Sequence, residues 1–101
     1  DIIKTGGANV SPIEIDLAIR SHPNIKLTQT IGVPDKLLGE MVVSCVVPNE
    51  GVSIDEDTLR AYLKERLASF KIPRRVLVMG DGTIHEERRN AARRPAKELS
   101  W

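Results

Sequence analysis

The chain predicts an α+β fold: a small, mostly antiparallel three-stranded sheet with two packed helices and an N-terminal β-hairpin. Three observations carry this expectation. Two stretches spell helix starts, Ser11-Pro12-Ile13-Glu14 and Ser53-Ile54-Asp55-Glu56. Residues 41–47, MVVSCVV, form a nearly continuous apolar run, which suits a central strand buried on both faces. The order strand, helix, strand, strand, helix, strand is an α+β order.

The first element is the hairpin. Ile2 and Ile3 lead into Gly6-Gly7, and a second short strand follows from Ala8 to Val10. Paired glycines can take positive φ and let another backbone or a slender ligand come close. Ser11 is a good N-cap, Pro12 suits the first helical position, and Glu14 completes a capping box. The first helix is expected over residues 12–21. Ile13, Leu17 and Ala18 define its apolar face, with Ile15 and Ile19 widening it. Asp16 and Arg20 stand four apart and are expected to pair on the outside. His22-Pro23-Asn24 stops this helix, because proline disfavours helical geometry in the residue before it. A protonated His22 would suit the helix dipole there.

Residues 25–33 read as a strand with Ile25, Leu27, Ile31 and Val33 on one face and Gln29 as the misfit. The central strand follows at 41–47, then a turn at Pro48-Asn49-Glu50-Gly51. The second helix is expected over 54–67, with Leu59, Tyr62, Leu63 and Leu67 on one stripe. Asp55, Glu56 and Asp57 favour its positive end. A last strand covers 75–79, and Asp81-Gly82 reads as a turn. The tail, EERRNAARRPAKELSW, is charged, has helical propensity up to Pro95, and is expected to pack little.

At 101 residues the chain is read as one domain with a modest core. Its apolar content is 41% and its formal charge +1, which places it among globular proteins. Tyr62, Phe70 and Trp101 are its only aromatic residues, so the core is aliphatic. No apolar run approaches the ~20 residues of a membrane span, and no signal peptide is expected from the residues ahead of the first strand. The lone cysteine, Cys45, lies in the central strand as an inert buried thiol, and a cytoplasmic setting is expected. Arg88, Arg89, Arg93, Arg94 and Lys97 make a basic cluster, but Glu86, Glu87 and Glu98 dilute it and no aromatic interleaves, so no nucleic-acid partner is expected. His85 has no second histidine or cysteine near it, so no metal site is expected. The chain begins at Asp1 rather than methionine, as a piece of a longer protein would.

Four stretches, in order, resemble the small C-terminal domain of the AMP-forming adenylating enzymes, the superfamily of acyl-CoA synthetases, peptide-synthetase adenylation domains and luciferase. They are DIIKTGGANVSPIEID, RSHPNIKLTQTIGVPDKLLGE, MVVSCVVP and LRAYLKERLASFKIPRR, which together cover about residues 1–79. The resemblance implies a lid over residues 1–101, with 80–101 a divergent tail, that rotates between adenylation and thioester formation. It implies ATP with its Mg2+ and coenzyme A as substrates of the full-length enzyme, none of them held by this fragment alone. It implies as partners a larger N-terminal adenylate-forming domain of the same chain and a small carboxylic or fatty acid.

The resemblance also assigns residues. Gly6 and Gly7 would line the passage of the thiol arm, although a plain hairpin turn explains them equally. Lys4 would face the active site in the second conformation, although an exposed lysine on a strand is ordinarily a solubilising group. An ammonium there could stabilise charge developing on a carbonyl or phosphate. Asp1 would stand beside the hinge. The family's adenylation lysine sits in a P-x-T-x-x-G-K loop, and no Gly-Lys follows Gly82-Thr83 here. Lys97 is the candidate catalytic lysine, and Arg89 falls nearer by count from Pro73, although its delocalised guanidinium is a poor substitute for lysine. It remains open that neither serves. Two rivals also stay open: a non-catalytic interaction or regulatory module derived from this domain, and an unrelated binding domain that shares its pattern.

Overall fold

The computed structural model describes residues 2–80. The readings placed on Asp1, the Asp81-Gly82 turn, His85, Arg89, Lys97 and the charged tail lie outside the described residues. In chain order the elements are β1 (Ile3–Thr5), β2 (Ala8–Val10), α1 (Pro12–Arg20), β3 (Ile25–Asp35), β4 (Gly39–Pro48), α2 (Glu56–Lys64), a 3-10 turn (Ser69–Lys71) and β5 (Arg75–Val78). The α+β class is the expected one.

β4 is the hub. One of its edges pairs antiparallel with β3 along a ladder from Ile25↔Pro48 to Asp35↔Gly39. The other edge pairs parallel with β5, from Val43↔Arg75 to Val46↔Val78, and antiparallel with β1 through Thr5↔Gly39 alone. The hairpin, expected to stand somewhat apart, therefore extends a five-stranded sheet and joins it at a single register pair.

Both helices pack on one face of this sheet. Ile15 and Ile19 of α1 and Leu59 and Leu63 of α2 are fully buried against Val42, Val46 and Val76, with Ile3 and Val10 of the hairpin in the same cluster. Burying side chains of this size stabilises by about 1.5–3 kcal/mol each. The opposite face holds Val33, Met41, Val43, Cys45 and Val47, all buried. β4 is thus covered on both sides, as its apolar run predicts, and Val43 and Val46 are both 0% exposed. The thiol of Cys45 is buried too.

Several local expectations are corrected. On α1 the buried face is Ile15 and Ile19 with Ala18, and Ile13 and Leu17 face outward. Asp16 does not pair outside with Arg20. It turns to the sheet, where Thr30 Oγ1 donates to its Oδ1 at 2.7 Å and Thr28 Oγ1 at 3.4 Å. Thr30 Oγ1 also lies 2.6 Å from Ser44 Oγ. Burial lifts the Asp16 carboxyl above the usual aspartate range, and the hydrogen bonds from the two threonines and the charge of Arg20 offset only part of that.

Thr28 and Thr30 occupy the helix-facing side of β3 because the register shifts between Ile25 and Leu27. A bulge moves the alternation by one residue, so Ile25 joins the helix-side cluster while Val33 joins the opposite one. Gln29 is the misfit expected: its Oε1 is buried with no hydrogen-bond partner among the described residues.

The second helix starts later than Ser53 suggests. Asp55 is the N-cap, and its Oδ1 accepts from Thr58 N at 2.7 Å. That leaves Glu56 to leave its own helix and tie it to β5. Its Oε2 accepts from Arg75 Nε at 2.5 Å and from Val76 N at 2.8 Å. Burial alone would raise the Glu56 carboxyl. Those hydrogen bonds and the charges of Arg75 and Arg60 outweigh it and hold the group below the usual glutamate range. Ser11 caps α1 as expected, accepting from Glu14 N at 3.3 Å. The Glu14 carboxylate pairs with Lys71, 3.0 Å away, and braces α1 against the 3-10 turn.

His22 stands just past the end of α1. Its Nδ1 accepts from Asn24 N at 3.1 Å. Its ring meets Tyr62 edge-on at 4.7 Å.

Candidate functional site: the docked glycine hairpin

The site begins with a two-residue turn. Gly6 and Gly7 have φ of +57° and +83°. Both being positive gives the type I′ geometry whose twist suits a tight hairpin. Thr5↔Ala8 flanks the turn, Lys4↔Asn9 comes next, and Ile3↔Val10 closes the ladder. Ile3 and Val10 are buried, while Lys4 and Asn9 are exposed on the other side. The apolar pair roots the hairpin in the core, and period-two alternation turns Lys4 to solvent. The Lys4 ammonium makes no ion pair among the described residues.

The turn between β3 and β4 holds the hairpin. Asp35 Oδ2 accepts from the N–H groups of Leu37 at 3.1 Å and Leu38 at 2.7 Å, folding that turn on itself. Gly39 then takes φ +84° to start β4. Two contacts reach the hairpin from here. Gly6 N donates to Leu38 O at 2.8 Å, and Lys4 N donates to Glu40 Oε1 at 2.8 Å. The stretch GVPDKLLGE, residues 32–40, is thus the cradle of the hairpin. The sequence marks that stretch as a point of resemblance and places Val33 on a strand face, but assigns none of its residues to the hairpin. The signal that could have found it is the cluster Gly32, Asp35, Gly39 and Glu40 at one strand connection.

The two glycines differ in their surroundings. A Cβ on Gly6 would sit 3.3 Å from Leu38 Cδ2, in tight contact, while one on Gly7 would meet none of the described residues within 4 Å. Beside the hairpin opens a mostly apolar pocket of about 290 Å3. Gly6, Ala8, Leu38, Met41 and Phe70 wall it, and Arg74 is the one charged residue among the described residues lining it.

The structure brings Lys4, Gly6 and Gly7 together on one face-forward hairpin, and Lys97 lies outside the described residues. No group of His, Cys, Asp and Glu among the described residues is arranged to hold a metal ion. None of the described helices is long and apolar enough to cross a membrane. The arrangement can present an ammonium, offer an open glycine edge and dock against something larger.

Residues 14–86 match the AMP-binding enzyme C-terminal domain. The chain belongs to this family. An oxalate–CoA ligase of Arabidopsis thaliana is 38% identical over 78 residues, which is 77% of this chain and 15% of the relative. A 2-succinylbenzoate–CoA ligase of Geobacillus kaustophilus is 36% identical over 94 residues, 93% of this chain and 18% of the relative. Among solved structures, ATP-bound MatB from Rhodopseudomonas palustris superposes with a TM-score of 0.81 at 34% identity, covering 92% of this chain and 20% of that one. This C-terminal domain therefore spans less than a fifth of the curated relatives named. Its hairpin precedes the matched stretch, and Arg89 and Lys97 follow it.

Proposed function

We propose that this chain is the lid of an AMP-forming acid–thiol ligase, turning between two half-reactions over a larger N-terminal domain. One observation carries the reading: the hairpin is rooted in the core by Ile3 and Val10 yet leaves Lys4 exposed and no described residue within 4 Å of where a Gly7 Cβ would stand. The outward side of the hairpin is thereby free to meet an external reacting centre. The CoA ligases among its relatives and the ATP-bound MatB structure support ATP and coenzyme A as substrates of the whole enzyme. Mg2+ would accompany the ATP.

In the first half-reaction a carboxylate oxygen of a small or fatty acid attacks the α-phosphorus of ATP and pyrophosphate leaves. In the second, a thiol attacks the acyl carbon, loses its proton and expels AMP. The lid supplies no nucleophile. Lys4 is assigned to the second step, where its ammonium stabilises negative charge growing on the carbonyl or phosphate oxygens. Gly6 and Gly7 are assigned to the wall along which the thiol arm passes. Lys97 is assigned to the first step, bridging the acid and the α-phosphate as two anions approach. A cytoplasmic enzyme fits these substrates.

The two half-reactions, assayed separately in a full-length ligase carrying this domain, test the reading. Lys4→Ala should slow thioester formation by about 10²-fold or more and leave pyrophosphate exchange largely intact. Gly7→Leu should do the same by filling the passage, and Gly7→Asn, which tolerates positive φ, controls for backbone strain. Lys97→Ala should lower pyrophosphate exchange alone. Equal loss in both steps for Lys4→Ala and Gly7→Leu would reduce the hairpin to a structural turn. The departure from P-x-T-x-x-G-K favours a second reading, a module without ligase activity. An enzyme indifferent to both Lys97→Ala and Arg89→Ala would support it.

A further inference from the structure

We propose that Glu40 is a positioning residue for the second half-reaction, fixing the backbone of Lys4 with its carboxylate in a space that Gly32 leaves open. This deepens the reading of the hairpin given above and rests on it. In a hairpin closed by a two-residue turn, the pair flanking the turn exchanges hydrogen bonds and the next pair does not. Here the next pair is Lys4↔Asn9, so the N–H of Lys4 points out of the hairpin toward β4. A regular ladder would meet it with a β4 carbonyl, but β1 and β4 share only Thr5↔Gly39. The side chain of Glu40, the residue after Gly39, takes over and accepts that N–H at 2.8 Å.

Gly32 explains how the carboxylate fits. Its φ is not among the positive ones, so its backbone does not call for glycine. The reason is room: a Cβ there would lie 2.6 Å from Glu40 Oε2 and 2.9 Å from its Cδ. It would also lie 3.1 Å from Ile3 Cγ2, on the hairpin itself. Gly32 is thus the floor on which both the clamp and the root of β1 rest. An ionised acceptor makes a stronger hydrogen bond than a neutral carbonyl, and it grips the residue whose ammonium is assigned to the chemistry. Glu40 touches no reacting atom in this scheme. It sets where the Lys4 side chain begins, so its loss should cost rate in the step that uses Lys4 and spare the step that does not.

Two measurements test this, and they fail separately. The first uses the 101-residue chain and reads amide exchange at Lys4 by NMR. Glu40→Ala should speed exchange of that amide about tenfold or more, Gly32→Ala should do likewise, and Glu40→Gln, which keeps an acceptor oxygen, should stay near wild type. A Lys4 amide equally protected in wild type and Glu40→Ala would overturn the clamp, whatever the hairpin does. The second uses the full-length ligase with ATP, coenzyme A and whichever of oxalate, 2-succinylbenzoate or ferulate supports turnover. Glu40→Ala should slow thioester formation from preformed adenylate about tenfold with pyrophosphate exchange within about twofold, and Glu40→Gln should restore most of the loss. The double variant Gly32→Ala/Glu40→Ala should lose less than the two singles multiplied, since one clash vanishes with the carboxylate. If Lys4→Ala spares thioester formation, the reading of the hairpin fails and with it the positioning role, while the exchange result still stands on its own. If Lys4→Ala is selective but Glu40→Ala leaves both steps unchanged, the positioning proposal alone is overturned.

Discussion

β5 and β1 attach to the same edge of β4 and are held in opposite ways. β5 lies in a four-residue parallel register, buries Val76 and is tied to α2 by Glu56. β1 has one register pair, one turn hydrogen bond and one carboxylate, with Ile3 as its root. The first attachment is made by burial and a ladder, and it is part of the cooperative body. The second adds to the burial of Ile3 only a single register pair and a few polar contacts at the mouth of a turn, and those contacts can be adjusted one residue at a time. A presenting element gains from the second kind, because its position can be tuned without disturbing the core.

The largest effect expected on the body comes from Leu63→Ala. It opens a cavity under α2 and should cost about 2–5 kcal/mol in denaturant unfolding, with the hairpin contacts left as they are. Val43→Ala and Val46→Ala, on opposite faces of β4, should each cost about 1–3 kcal/mol. A markedly smaller loss at Val43 would mean that only the helix side of β4 belongs to the body. Glu56→Gln should cost about 1–2 kcal/mol at neutral pH and loosen β5 while sparing β1. Because the folded carboxyl lies below its unfolded value, its stabilisation is present above about pH 4.3 and is lost as pH falls through the folded value. The acid limb of the stability curve should therefore flatten in Glu56→Gln.

The smallest effect should come from Asp16→Asn, and its sign is the reverse. The folded Asp16 carboxyl lies above its unfolded value. Its contribution is complete below about pH 3.9 and declines as pH rises through the folded value. Asp16→Asn should remove that decline and leave stability at neutral pH within about 1 kcal/mol. If the mid-strand amides of β4 and the Lys4 amide exchanged by one common opening, the division between body and hairpin would be gone.

Much of the body is written plainly in the chain. The run from Met41 to Val47 can only be a strand covered twice, and Ser11-Pro12 marks α1 to the residue. Periodicity could not choose the buried face of α1, because Ile13, Ile15, Leu17 and Ile19 surround the helix. The choice falls to Asp16, which must reach Thr28 and Thr30, and that partnership depends on a bulge in β3 that no local pattern announces. In Ser53-Ile54-Asp55-Glu56 two residues can cap, and Asp55 prevails while Glu56 finds β5, nineteen and twenty positions along the chain. At the site, Gly6-Gly7 is legible as a turn because only glycine takes both angles cheaply. Glu40 and Gly32 are not, because their meaning arises only when residues thirty-six positions apart are brought together.

The burial of Cys45 gives this domain a clock of its own. The thiol is the only one in the chain, and it sits fully enclosed on the strand that every other strand but β2 pairs with. An alkylating reagent can reach it only when that strand is exposed, so the labelling rate counts openings of the body and ignores excursions of the hairpin. Measured on the 101-residue chain, the reaction would tell how often the body of this domain opens.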